Sequence, residues 1–268
     1  VGENISIISS NAVATANNIT YWMGADKFYM YDGRVQTLPC DLRQFIFQNA
    51  DADLTLNPLQ ADQIFASTVE AYNEIWWFYC SSVDATLSTP DRYVVFNYAE
   101  GAWYYGTLNR SAWLDSKILS KPLAATSNKR LAVHETGVDD VETGEAIALP
   151  AYITSAEFDM DDGHNMSFVW RLLPDITFRG STADNPTATF TLYPQKNSGS
   201  GITDPASVGG NNAAGVVRTA TVPVEQFTGQ VYTRVRGRQL SIKVESDSLG
   251  TTWQLGGPRI DIPPDDRR

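Results

Sequence analysis

Three arginines stand at alternate positions in the stretch Arg234-Val235-Arg236-Gly237-Arg238. On an extended chain, residues i, i+2 and i+4 share a face, so this stretch presents a row of guanidinium forks. Such forks match the geometry of carboxylates. The row fits either a solvated face or a set of ion pairs to a neighbouring subunit. Around it the apolar residues change parity: Val231 and Val235 before Gly237, then Leu240, Ile242 and Val244 after it. That change predicts a bulge or kink near Gly237.

The other chemistry-bearing residues lack the spacing their chemistry requires. Asp159-Met160-Asp161-Asp162-Gly163 starts like a calcium loop, but its fifth, sixth and twelfth positions are Gly163, His164 and Trp170. An EF-hand needs an oxygen ligand, Gly and Glu there, so Asp162-Gly163 reads as a hairpin turn. His134 and His164 are the only histidines and have no partner at zinc-ligand spacing. Cys40 and Cys80 read as two isolated buried thiols. There is no GxSxG element, and Gly199-Ser200-Gly201 sits in a polar run, not between a strand and a helix. Carboxylate pairs for glycoside hydrolysis come from distant strands. Asp26, Asp91, Glu100 and Asp115 lie near aromatic segments, but turns favour Asp for local hydrogen bonding. The expectation is a non-enzyme with no catalytic, cofactor-binding or metal residues and no cofactor. Sequons begin at Asn4, Asn18, Asn109 and Asn165; with no signal peptide in view, chance explains them best.

The net charge is 20 − 31 = −11. That opposes ordinary nucleic-acid binding, which uses Lys and Arg to displace counterions. On a surface that nucleic acid slides past, like charge is an advantage. The hydrophobic and charged fractions, 43% and 19%, are those of a folded chain.

Period-2 alternation dominates the elements that must hold these residues. Strands are predicted over 19–24, 27–31 and 34–38, with Asp32-Gly33 as a type I′ hairpin turn. The stretch 40–71 reads as a short helical insertion, with a helix over 57–66 capped by Asn57 and opened by Pro58. Strands resume over 74–80, 92–98 and 102–108. The run VVFNYAEGAWYYG (94–106) could be a stacking platform for a sugar or the inner wall of a sheet. Its apolar residues fall on both strand faces, which favours a wall. Residues 28–38 and 96–108 share an order: an aromatic strand ending in Tyr, a turn closing on Gly, and a strand ending in Thr-Leu. Such units resemble β-propeller blades, and a third partial unit follows over 122–135.

From residue 146 the strands become plainer. Ala188, Phe190 and Leu192 alternate with Thr187, Thr189 and Thr191. A Gly-, Ser- and Asn-rich stretch over 195–215 predicts a long flexible loop. The expected fold is all-β: partial propeller-like blades over 1–145, then a β-sandwich or jelly-roll-like domain over 146–268.

Glu74-Ile75-Trp76-Trp77-Phe78-Tyr79, Asp91-Arg92-Tyr93, Gly101-Ala102-Trp103, Arg110-Ser111-Ala112-Trp113, Arg236-Gly237-Arg238 and Trp253-Gln254-Leu255-Gly256 together resemble the tail hub or nozzle proteins of short-tailed bacteriophages. The resemblance implies a virion structural protein in the phage tail that assembles as a homo-oligomer, commonly a hexameric ring. It implies portal, adaptor and other tail proteins as neighbours, contact with the host envelope, and viral DNA passing through the lumen without specific binding. Arg234, Arg236, Arg238, Trp103 and Tyr105 are the expected subunit-interface residues. The alternative is a carbohydrate-binding or carbohydrate-cleaving β-protein that recognises a host glycan.

Overall fold

The computed structural model describes residues 5–48, 55–83, 86, 88–116, 118–160, 163–195 and 219–262. The loop expected over 195–215 lies outside the described residues except for Gln195, as do Asp161 and Asp162 of the expected hairpin turn. The chain is all-β, built from several antiparallel sheets. Contacts divide it into Val1–Thr136 and Gly137–Arg268, a division that falls before the expected boundary at 145.

The first unit opens with a meander of β1 (Val13–Ala16), β2 (Ile19–Met23), β3 (Phe28–Tyr31) and β4 (Val35–Leu38), paired in sequence order. Asn17 and Asn18 join β1 to β2 with φ of 49° and 63°. These are the left-handed values a type I′ turn needs, and Asn tolerates them. Asp32-Gly33 does lie in a hairpin, but Tyr31 pairs with Val35, so the connection has three residues. Asp32 explains the difference. Its carboxylate accepts from the Arg34 amide at 3.3 Å and from Gln36 at 3.0 Å, which draws Arg34 into the loop.

The segment read as a helical insertion is only partly one. It holds α1 (Arg43–Phe47) and a 3-10 turn over Pro58–Gln63. Asn57 caps the turn as expected, accepting from the Leu59 amide at 3.0 Å. The turn stops at Ile64, whose backbone is extended, and Phe65 begins β5 (Phe65–Val69). This strand was unforeseen because most of its residues are half-buried and show no alternation. With β6 (Glu74–Tyr79), β7 (Arg92–Asn97) and β8 (Ala102–Thr107) it forms a second four-stranded meander. Of the two stretches matched in sequence, 28–38 holds the third and fourth strands of the first meander, and 96–108 holds the end of the third and all of the fourth strand of the second. A three-stranded sheet follows: β9 (Arg110–Leu114), β10 (Leu123–Thr126) and β11 (Leu131–Val133). No sheet closes on itself among the described residues, and what the two meanders share is their sequential antiparallel strand order.

In the second unit β12 (Asp139–Asp140) and β13 (Ile147–Ala148) form a small hairpin. The remaining strands are β14 (Ala151–Thr154), β15 (Phe158–Asp159), β16 (Ser167–Leu173), β17 (Ile176–Thr177), β18 (Thr187–Gln195), β19 (Ala220–Glu225), β20 (Val231–Gly237), β21 (Gln239–Ser246), β22 (Gln254–Leu255) and β23 (Arg259–Asp261). A sheet ordered β14-β21-β18-β19, with β15 also on β21, faces a sheet ordered β20-β16-β23. Leu172 of the smaller sheet packs with Phe190 and Val244 of the larger. Val169 and Val235 pack with Leu192 and Leu240. Two layers across one apolar core make a sandwich. Ala188, Phe190 and Leu192 are buried in it, as their alternation required.

The parity change at Gly237 has a specific cause. β20 belongs to the smaller sheet and β21 to the larger, so the chain turns a corner from one layer to the other. Val235 and Leu240 both point into the core, from opposite sides. A Cβ on Gly237 would lie 2.8 Å from the Gln195 carbonyl oxygen and 3.0 Å from that of Gln239. The corner therefore has room only for glycine.

Candidate functional site

The aromatic run 94–106 spans the end of β7 and most of β8; both faces of its β7 part are covered, while Ala102 and Tyr104 of β8 are exposed. Val94, Phe96 and Trp103 join the core that contains Tyr21, Met23, Phe28 and Trp77. Val95 and Tyr93 face the other way, onto Trp76, Phe78, Leu108 and Trp113. Most rings of the run are used in packing, while Tyr104 stays 37% exposed. The two rings expected at a subunit contact are engaged within the chain. Trp103 donates its indole N–H to the Pro39 carbonyl at 2.8 Å, and its ring lies 4.7 Å from Phe28 and 4.8 Å from Phe96. The Tyr105 ring lies 4.3 Å from Phe45 of α1.

Three of the carboxylates singled out in the sequence have structural duties. Asp91 accepts from the Ser81 amide and hydroxyl, both at 2.7 Å, and pairs with Arg92 at 2.8 Å. Asp115 accepts from the Glu70 amide at 2.8 Å. Asp26 pairs with Arg43 at 3.1 Å. Glu100 lies in the exposed β7–β8 turn, which Asn97 closes by accepting from two amides. The carboxylates that act on each other electrostatically are instead Glu74, which starts β6, and Glu135, just after β11. Glu74 is buried and accepts from the Trp76 indole at 2.8 Å, and its charge acts on the Tyr104 hydroxyl. The Glu135 carboxyl interacts electrostatically with Tyr72. Its pKa is raised, first by partial desolvation and then by the charge of Glu74, against the opposing pull of Lys121. Burial and then Glu74 raise the Tyr104 hydroxyl as well. Interacting carboxyls of which one is held protonated more readily are the raw material of acid–base chemistry. Sequence spacing could not join residues 74 and 135, because packing of the second meander on the third sheet does so.

His134 is a structural residue here. Arg110, itself buried, donates to its Nε2 at 2.9 Å, so that nitrogen is an unprotonated acceptor, and the ring lies 4.4 Å from Trp113. Both thiols are poor nucleophiles. Burial raises Cys40 to about 12 and Cys80 to about 11.

The arginine row is exposed. On β20 Tyr232, Arg234 and Arg236 point outward while Thr233 and Val235 point into the sandwich. Arg238 follows, exposed, at the corner. Trp170 of β16 lies on the same outer face, its ring 5.6 Å from Tyr232, with the Arg171 guanidinium 5.1 Å from its centre. Arg171 pairs with Asp261 of β23, and Arg259 on that strand is also exposed. The face thus gathers arginines and two exposed rings around one carboxylate. A third feature of the second unit is an apolar groove of about 380 Å³, bordered by Ile153, Phe158, Ile242, Leu255, Pro258 and Ile260.

Fold and surface together define an all-β protein of two units, the first filled by stacked aromatic sheets, the second bearing an arginine-rich outer face. No family model matches the chain, and no curated protein matches it at significance.

Proposed function

We propose that the chain is a virion structural protein, a subunit of a ring-shaped tail hub or nozzle that conducts a phage genome out of the particle. The observation that carries this reading is the exposed sheet face with Trp170, Tyr232 and its arginines. Aromatic residues and arginine are the types enriched in protein–protein interfaces. The blade-like meanders and the sequence resemblance to tail hub proteins support it. So does the net charge of −11, which suits a conduit that must not hold DNA. In this reading the neighbours are copies of the chain in a hexameric ring, the portal and adaptor, and other tail proteins. Negative-stain imaging and native mass measurement test it: rings are expected, and a well-behaved monomer with affinity for saccharides would overturn it.

A second reading has one observation in its favour. Glu74 and Glu135, which interact electrostatically with Tyr104 and Tyr72, could serve a glycan-cleaving protein. Hydrolysis of a labelled oligosaccharide that is lost in both Glu74→Gln and Glu135→Gln would establish it. No turnover by the wild-type chain across a host-glycan panel removes it.

A further inference from the structure

The arginine face has a counterpart in the same unit. The β12–β13 hairpin carries Asp140, Glu142 and Glu145, together with Val141, Ile147 and Leu149, which are 65%, 51% and 54% exposed. It is fixed in place, because both oxygens of Asp139 accept from the Gly250 amide, at 2.8 and 3.0 Å. Within the hairpin Asp140 accepts from the Glu142 amide at 2.8 Å. An acidic rim with apolar side chains is thus held on a rigid base. The arginine face offers the complement: Arg234, Arg236, Arg238 and Arg259 around the half-exposed Trp170 and the 64%-exposed Tyr232.

We infer that the arginine face of one copy receives the acidic β12–β13 hairpin of a second copy. The inference rests on the oligomeric reading above and names the surfaces that make it. Carboxylates meet guanidinium forks, which fixes orientation and speeds encounter. Val141 and Ile147 cover the two rings, which supplies apolar burial. Two different patches are used, so the contact is heterologous, and repeating it gives a ring wherever the rotation closes. The chain's acidic balance, 31 Asp and Glu against 20 Lys and Arg, favours a second copy over nucleic acid as the occupant of a basic face.

The experiment is a charge swap on the full chain, read by size-exclusion chromatography with light scattering. One variant carries Arg234→Glu, Arg236→Glu and Arg259→Glu; the other carries Glu142→Lys and Glu145→Lys. Each variant alone is expected to fall to the monomer mass of 29.5 kDa. Mixing the two restores opposite charges at every contact and is expected to restore the assembly, which also shows that both variants fold. A wild-type assembly that survives the arginine reversal overturns the inference and leaves the oligomeric reading standing. Loss without restoration on mixing overturns the hairpin as partner. A wild-type chain that is monomeric at every salt concentration overturns both readings. Binding of a labelled DNA duplex that the arginine reversal abolishes, with the mass unchanged, assigns the face to nucleic acid and overturns the inference.

Discussion

Two tryptophans show how differently the units use the same side chain. Trp77 is fully buried in the first unit, between the meanders, with its indole N–H donated to the Ala12 carbonyl at 3.2 Å. Trp170 is 38% exposed on the outer face of the smaller sheet in the second unit, beside Arg171 and Tyr232. Three sheets stacked in the first unit leave β6 of the middle one no free face, so its rings become filler. The sandwich of the second unit buries one face of each sheet and leaves the other outward. There, rings and arginines are exposed to solvent. Composition alone does not tell an interface from a core; the number of layers around a strand does.

Truncating the buried ring attacks this contrast with the greatest force. Trp77→Ala is expected to cost about 3–5 kcal/mol, the usual range for a large aromatic removed from a core, measured by denaturant unfolding. A loss below about 1 kcal/mol would mean the ring is not a core element. At the sandwich corner Gly237→Ala drives a methyl against two carbonyl oxygens. An expected loss of about 1–3 kcal/mol, seen as a lower Tm, would place the strain at the crossing between layers. In the first unit Asn57→Ala removes the cap of the 3-10 turn, with an expected cost of about 1 kcal/mol and faster hydrogen exchange at Leu59.

The charge of Glu74 acting on Glu135 gives a smaller, pH-dependent effect. The folded chain raises the Glu135 pKa, so folding favours the protonated carboxyl. That contribution is present below the ordinary carboxyl range and is lost as pH rises through the folded value. Glu135→Gln is therefore expected to be slightly more stable than wild type near pH 7, by less than about 1 kcal/mol. The advantage should vanish near pH 3, when both chains carry a neutral side chain. A Tm difference that does not change with pH would remove the electrostatic cause. Trp170→Ala sits at the small end for folding, within about 0.5 kcal/mol, yet it should weaken assembly measurably in light scattering. Fold and assembly respond oppositely at Trp77 and Trp170 if the comparison is right.

Much of the fold was legible. Alternation at 187–193 gave β18 its buried face, the parity change at Gly237 marked the corner, and the order shared by 28–38 and 96–108 picked equivalent hairpins of two meanders. β5 was not legible, because a strand covered on both sides loses its alternation. The carboxylate interaction was hidden for a different reason. Asp26, Asp91 and Asp115 stood near the aromatic segments in sequence, but each is used by a hydrogen bond or ion pair elsewhere. Glu74 acts on Glu135 only because two sheets pack together.

By itself the sequence determined the all-β class, the capped turn at Asn57, the hairpin at Gly33 and the outward row of Arg234 and Arg236. Each depends on local dihedral preference or on the period of two along a strand, and both are written within a few residues. Only the tertiary structure decided that Trp103 packs on Phe28 and Tyr105 on Phe45, that Trp170 joins the arginines, and that the charge of Glu74 reaches Glu135. Those outcomes depend on which sheet covers which, and layer order is set by apolar burial summed over strands far apart in sequence.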